Sequence, residues 1–353
     1  MGVCVGMALN FRIDADRRDR LAAAGFDPSR LSREYFTECD LCGWKVFRTI
    51  SRVDRYGFPG IYQMCEGCGL IFQNPHPTKE AYAEFYQKWY RPLITAYWGD
   101  AIDAKTIQAD QGRYAEWLIA FLKPFIKDQI ELAVDLGGST GVIAQAFQSA
   151  FGGRCIVVDP APDELAEAAS FHLELEQALA EDWEPNGRKF DMILLCRSVD
   201  HLLSISKVLN KVASALKQGG YFFVDFVDFT ATAETMSDYR EILKLDHVYY
   251  NSDDTLRSYV NAAGFEVVAS DFTVHQPALL TRYTGQITPP RHQTPFSVQT
   301  AAMLRERLIT PPPRPAETPP LDVLTRIEQR IRSRFRSVIT ALRSQTDIAR
   351  LSD

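Results

Sequence analysis

Between about Glu131 and Ser270 the chain alternates short apolar runs with stretches whose apolar positions recur every three or four residues. The runs Leu132–Leu136, Cys155–Val158, Phe190–Cys196 and Tyr221–Phe226 have the length and near-continuous apolar character of strands buried on both faces. Between them, Val142–Phe151 sets Ile143, Phe147 and Phe151 at helical spacing. Ser206–Leu216 does the same with Val208, Leu209, Val212 and Leu216, and Gly219-Gly220 is expected to stop that helix. A helix after Asp253 leads through Gly264 to a strand over Phe265–Ala269. This alternation predicts βαβ units and a mostly parallel sheet, hence an α/β fold.

The flanks differ. Residues 1–35 are polar and partly helical in pattern, and nothing in them suggests chemistry. Short β-like runs, Trp44–Ile50 and Leu70–Phe72, follow among four cysteines. From Thr78 to Lys123 the pattern is helical and rich in aromatics, among them Tyr82, Phe85, Tyr86, Trp89 and Tyr90. Beyond about 285 the composition shifts: nine of the 19 prolines fall within 289–320, which reads as an extended linker. A basic amphipathic helix is expected from about Leu321 to Ser344, with Ile327, Ile331, Phe335 and Leu342 on its stripe. Such a helix needs a cover, so a homo-oligomer or protein partner through it is expected, with an anionic membrane surface as the alternative.

Composition narrows the class. With 46% hydrophobic and 24% charged residues the chain is globular, and at 353 residues it has room for two or three modules. The charge balance, 39 basic against 45 acidic residues, argues against a dedicated nucleic-acid coat, so no nucleic acid is expected as partner. No run of eighteen apolar residues predicts a transmembrane helix. Met1–Asn10 is apolar, but no basic stretch precedes it and Arg12, Asp14 and Asp16 follow, unlike a signal peptide. A cytoplasmic location is expected.

The most informative stretch is Leu132-Ala-Val-Asp-Leu-Gly-Gly-Ser-Thr-Gly141. An apolar strand runs into Asp135, then into a turn with Gly137, Gly138 and Gly141 that opens a helix. Such a turn lets backbone approach a ligand where a Cβ would clash, and it leaves N–H groups free. It lies at the carboxyl end of the first strand, where open α/β sheets bind ligands, although its spacing is not G-x-G-x-x-G. Asp159 ends the second strand, where it could accept hydrogen bonds from ribose hydroxyls.

Asp135-Leu-Gly-Gly-Ser-Thr-Gly141, Val157-Val-Asp-Pro160, Glu181-Asp-Trp183, Lys189-Phe-Asp-Met-Ile-Leu-Leu-Cys196 and Leu216-Lys-Gln-Gly-Gly220 resemble successive motifs of the class I S-adenosylmethionine-dependent methyltransferases. The family's middle glycine is Ser139 here, which a small residue still fits. The resemblance implies a Rossmann-like sheet flanked by helices and S-adenosylmethionine as cofactor. It also implies that Asp135 and Gly137 flank the methionine part, Asp159 holds the ribose, and Asp182 or Trp183 lies beside the adenine. The alternative is a glycine turn serving another nucleotide, or none.

Cys39-x-x-Cys42 and Cys65-x-x-Cys68 offer four thiolates from two knuckles, the usual grammar of a closed, structural tetrahedral Zn(2+) site. Gly43 and Gly69 after each pair ease the turn. The alternatives are buried thiols or transient disulfides. Cys65-Glu-Gly-Cys-Gly-Leu-Ile-Phe-Gln-Asn-Pro75, with Phe85-Tyr86 and Tyr90-Arg91, resembles the N-terminal zinc module of a methyltransferase subgroup that includes sugar C-methyltransferases. After about Ser270 the composition is that of a Pro-rich tail, so no counterpart of those enzymes' third domain is expected in this stretch.

Two histidines are candidates for proton transfer. His201 in Val199-Asp-His-Leu202 lies just beyond the fourth strand. His247 in Lys244-Leu-Asp-His-Val-Tyr-Tyr250 resembles the Tyr-x-Glu-His segment of the sugar enzymes, with Lys244 in place of the tyrosine. Asp246 beside His247 would make a proton acceptor. Each histidine has a loop-anchoring alternative. Tyr249 and Tyr250 could line a substrate cavity, although aromatics at such positions more often belong to the core. The domain reading is an extension over 1–35, a zinc module with the start of a helical connector over 36–90, a methyltransferase domain over 91–285, and a Pro-rich, partly helical tail over 286–353. The expected activity is methyl transfer to a small-molecule or carbohydrate acceptor. Alternatives are a natural-product or lipid acceptor, and a non-catalytic methyltransferase-like scaffold.

Overall fold

In a computed structural model, which describes residues 13–100, 104–236, 238–272 and 277–290, the apolar runs become strands of one central sheet. The N-terminal part runs α1 (Ala15–Ala23), β1 (Arg33–Glu34), β2 (Phe47–Val53), β3 (Pro59–Cys65), β4 (Ile71–Gln73) and β5 (His76–Pro77). Helices α2 (Lys79–Lys88), α3 (Tyr90–Trp98) and α4 (Ala104–Leu122) follow. The rest alternates through β6 (Leu132–Leu136), α5 (Val142–Phe151), β7 (Arg154–Asp159), α6 (Pro162–Ala168), β8 (Glu174–Gln177), β9 (Phe190–Leu195), α7 (Ile205–Ala215), β10 (Leu216–Asp225) and α8 (Phe229–Thr235). It ends with β11 (Tyr249–Tyr250), α9 (Asp253–Ala262), β12 (Phe265–Asp271) and β13 (Ala278–Tyr283).

The central sheet has seven strands in the order β12-β13-β10-β9-β6-β7-β8. Strands β10, β9, β6, β7 and β8 are mutually parallel, while β13 pairs antiparallel with both β10 and β12. The strand order reverses between β6 and β9, which makes their carboxyl ends the switch-point crevice of an open α/β sheet. Side chains alternate between two faces. Val134, Ile156, Ile193, Phe222 and Val224 enter one core with α7 and α9. Ala133, Val157, Met192, Leu194 and Phe223 enter the other with α4 and α5.

Two expectations change, and one open alternative is decided. Gly219 and Gly220 do not stop a helix. Helix α7 ends at Ala215, and both glycines lie inside β10, where the register with β9 shifts between Leu216 and Tyr221. Strands β8 and β13 were not expected: β8 is a polar edge strand, Glu-Leu-Glu-Gln, with no apolar run to reveal it. Tyr249 and Tyr250 are buried in β11, so they are core residues. The C-terminal amphipathic helix and most of the Pro-rich segment lie outside the described residues. Among those described, no helix is long and apolar enough to cross a membrane.

The cysteine module has no core of its own. Its sheet, β11-β4-β3-β2, takes its edge strand from the alternating region, with Tyr249 opposite Phe72 and Tyr250 opposite Ile71. Cys39, Cys65, Cys68, Leu70 and Phe72 belong to the same apolar cluster as Val134, Ile193 and Phe222. A segment this small buries too little apolar surface to fold alone, so it borrows the sheet's open face. Phe72 is fully buried and meets Phe36 and Phe47 edge-on, at ring distances of 5.5 and 5.0 Å. Phe72→Ala should therefore cost about 3–5 kcal/mol. Denaturation followed by circular dichroism and by tryptophan fluorescence should show one transition shifted as a whole. A separate early transition with the main one unmoved would mean that the two parts do not share a core.

Candidate functional site

The turn after β6 is built by steric necessity. Gly137 has φ +76°, and a Cβ there would lie 2.5 Å from Ser198 Oγ. A Cβ on Gly138 would meet Asp135 Oδ2 at 3.0 Å, and Gly141, also left-handed, starts α5 without a side-chain cap. Ser139 takes a left-handed conformation too, at φ +48°. Its hydroxyl donates to Glu164 Oε2 at 2.9 Å, which offsets part of that strain. The backbone N–H of Ser139 donates to Asp159 Oδ2 at 2.9 Å, so the turn after β6 and the end of β7 are tied together. Arg91 from α3 then pairs with Glu164 at 2.6 Å.

This crevice concentrates acid. Asp135 is completely buried, and among the described residues neither carboxylate oxygen has a hydrogen-bond partner. Burial, reinforced by the charges of Asp159 and Asp225, pushes it up to about 7. Asp159 is pushed up to about 6 by burial, although the N–H groups of Ala161 and Ser139 pull the other way. Across the switch point Asp225 accepts from Tyr114 Oη at 2.9 Å and from the Arg197 N–H, and burial pushes it up to about 6. Buried carboxylates without partners are costly unless something cationic or donor-rich meets them.

The two residues after Glu181 part company. Asp182 is exposed and pairs with Lys79 at 2.8 Å. Trp183 is fully buried in the core, its ring 5.5 Å from Phe190, the first residue of β9. That strand end is opposite to the crevice.

His201, Asp246 and His247 converge, with one potential ligand atom from each lying within 4.8 Å of the others. The two imidazoles stand 4.3 Å apart at 69°. His201 Nδ1 lies 2.9 Å from the Asp246 carbonyl oxygen and is also bonded to Tyr86 Oη. A carbonyl only accepts, so the tautomer that satisfies this contact has its proton on Nδ1 and the lone pair on Nε2. Among the described residues nothing bonds that Nε2. His247 differs, because its Nε2 faces the Lys244 ammonium at 3.1 Å and is occupied. Asp246 accepts from Tyr56 Oη at 3.2 Å, while its carbonyl accepts from Tyr82 Oη at 2.7 Å. Burial lowers His201 to about 4, with the Asp246 charge opposing and the Lys244 charge adding. His247 is lowered well below the usual histidine value by burial, then by Lys244 and His201. Both rings are neutral near pH 7.

The four cysteines face one point. Cys39 Sγ lies 3.6 Å from Cys68 Sγ, and Cys42 Sγ 3.6 Å from Cys65 Sγ. All four sulfurs fall within 4.8 Å of one another. Sulfurs about 2.3 Å from one tetrahedral ion would be spaced by just under 4 Å, so the donor set fits zinc. Gly43 and Gly69 are left-handed at φ +70° and +83°, and their N–H groups donate to Cys39 and Cys65 carbonyls at 2.8 and 2.9 Å. The two knuckles repeat one geometry.

Two residues of the site escaped the sequence. Tyr86 is marked by the aromatic stretch and the zinc-module resemblance, but neither links it to His201, 115 positions away. Asp40, inside the first knuckle, accepts from Ser204 Oγ at 2.6 Å, Ser206 N at 2.9 Å, Ser206 Oγ at 2.9 Å and Tyr259 Oη at 2.9 Å. An acid one position after a cysteine carries no local signal of such a role.

Residues 107–270 match the family model described as a methyltransferase domain. No curated protein matches the chain. Among solved structures, it is similar to an S-adenosylmethionine-dependent methyltransferase from Thermotoga maritima at 18% identity, covering 50% of this chain and 97% of that one, with a TM-score of 0.39. A Clostridium acetobutylicum S-adenosylmethionine-dependent methyltransferase matches at 16% identity over 56% of this chain and 96% of its own, with a TM-score of 0.41. The magnesium protoporphyrin IX methyltransferase of Synechocystis matches at 11% over 58% and 100%, with a TM-score of 0.44. The matched residues begin within α4 and end in β12, so the alternating α/β region carries a methyltransferase domain.

Proposed function

We propose that this methyltransferase acts on a small, sugar-type acceptor at a carbon or hydroxyl oxygen, with His201 taking the acceptor's proton. The observation that carries the reading is the unbonded Nε2 of a neutral imidazole beside the switch-point crevice, its tautomer set by the Asp246 carbonyl. The sugar-type acceptor is supported by the Asp246-His247 pair and the four-cysteine module, which resemble those of the sugar C-methyltransferases.

The crevice residues fit the cofactor. Its sulfonium supplies an electrophilic methyl group, so the protein need only bind, orient and remove a proton. Asp135, with two orphaned oxygens, and the Gly137-Gly138 turn would hold the methionine part, whose ammonium suits a carboxylate. Asp159 would hold the ribose, and exposed Asp182 would lie nearer the adenine than buried Trp183. His201 Nε2 accepts the proton, and the Asp246 charge favours the imidazolium that results. Lys244 and Asp246 orient His247, which packs against His201. Cys39, Cys42, Cys65 and Cys68 would hold one structural zinc.

Binding of S-adenosylhomocysteine tests the crevice. Asp159→Ala should weaken it by about 1–3 kcal/mol through lost ribose hydrogen bonds. Asp135 and Asp159 sit raised at about 7 and about 6, so protonation below neutral pH removes the charges that the ligand needs. Calorimetric affinity should fall about tenfold or more from pH 8 to pH 5.5. The same shifts make the ligand-free protein less stable as pH rises from about 4 to 7, because the folded state holds protons that the unfolded chain has released. An affinity flat across this range would remove both acids from the site.

Elemental analysis of protein purified without chelator should give one zinc per chain, and chelation should lower the melting temperature. A metal-free chain of unchanged stability would leave the cysteines as buried thiols. With an acceptor found by screening nucleotide-linked sugars for S-adenosylhomocysteine release, His201→Ala should cut kcat about 10²–10⁴-fold at unchanged cofactor affinity. His247→Ala should cost less. The reverse ranking would transfer the base to His247, and release only with lipid or natural-product acceptors would replace the sugar reading.

A further inference from the structure

The four-cysteine cluster reaches both histidines through separate connections. The first knuckle, Cys39 to Cys42, contains Asp40, whose carboxylate takes four donors. Ser204 and Ser206 stand at the start of α7, where the helix N-terminus favours an anion, and Ser204 is its cap. Three residues before Ser204 is His201. The same loop is held at Leu203, whose N–H donates to Glu181 Oε1 at 2.6 Å and whose carbonyl accepts from Tyr249 Oη at 3.1 Å. The second knuckle, Cys65 to Cys68, joins β3 to β4, and β4 pairs with β11 two residues beyond His247. Gln73 N donates to the Val248 carbonyl at 2.8 Å, and Val248 N donates to the Asp200 carbonyl at 3.0 Å, which closes the circuit between the two histidine segments.

We infer that the cysteine module is the positioning device of the proton-transfer site: Asp40 on one knuckle holds the His201 loop, and β4 after the other holds the His247 segment. One metal ion then sets the spacing of the two rings. Asp40 is a positioning residue, and it touches neither cofactor nor acceptor. The inference rests on the roles proposed above for His201 and His247, but the coupling itself is independent of them. Four hydrogen bonds to one partly buried carboxylate are worth more than the usual neutral kind, so their loss frees the loop locally.

Hydrogen exchange read by mass spectrometry on the full zinc-loaded chain tests this without an acceptor. Asp40→Ala should keep one zinc per chain and keep S-adenosylhomocysteine affinity within about twofold. Amide exchange across 199–206 should rise about tenfold or more, with Tyr249 and Tyr250 in β11 unchanged. Asp40→Asn keeps one acceptor oxygen for Ser204 and Ser206 and should fall between. Stripping zinc with excess chelator should release both segments, while β6 and β7 stay protected. Unchanged exchange in 199–206 on Asp40→Ala overturns the inference, as does zinc removal that loosens β6 and β7 equally. Should Asp40→Ala fail to fold, Tyr259→Phe removes a single bond to Oδ2 and should give a smaller rise confined to 199–206. No rise there overturns it as well. If wild-type protein shows the expected exchange pattern but binds no S-adenosylhomocysteine, the crevice assignment fails and the positioning stands.

Discussion

Most of the site depends on two residue pairs between β11 and β4. The four-cysteine segment is too small to bury a core, and one face of the seven-stranded sheet needs a cover beyond α7 and α9. Donating Tyr249–Tyr250 to the module's sheet answers both needs. It also delivers His247 to the carboxyl ends of the strands, where His201 already stands by virtue of following β9. That pairing supplements the His201–Asp246 and Val248–Asp200 bonds, which join the two histidine segments directly.

What the sequence reveals follows the range of the interaction. Strand β6 and helix α5 coincide with their expected bounds, because buried parallel strands are continuous apolar runs and Gly141 starts the helix locally. The turn at Gly137 and the twin knuckles are legible for the same reason: their geometry is set within a few residues. The bond from Tyr86 to His201, the Asp40 clamp and the β11 pairing are illegible because each joins positions far apart. Strand β8 is hidden for another cause, since a polar edge strand carries no apolar signature. Gly219-Gly220 misled, because a glycine pair after a helical stretch reads as a stop, whereas here it permits the irregular start of β10.

The buried acids of the crevice oppose folding when nothing occupies it. Asp135, Asp159, Asp200 and Asp225 are all held above the usual carboxylate range by burial. Three of them spend their oxygens on structure: Asp159 on the turn, Asp200 on Asn251 and Val227, and Asp225 on Tyr114 and Arg197. Asp135 spends neither. An acid that shapes no loop and satisfies no donor is costly to bury, and a cationic ligand recovers that cost on binding.

The histidine segment shows the complementary device. Its tyrosines, Tyr56, Tyr82 and Tyr86, converge on Asp246 and His201 through hydroxyls whose own ionisation burial suppresses. Phenols that stay neutral can orient a carboxylate, a carbonyl and an imidazole without adding charge of their own. The Asp246 side chain therefore keeps its effect on the imidazoles, while its backbone carbonyl sets the His201 tautomer. One residue thus fixes which nitrogen is free and favours the charge that nitrogen would acquire. That economy depends on Tyr56 and Tyr82, whose hydroxyls hold the Asp246 side chain and carbonyl beside both rings.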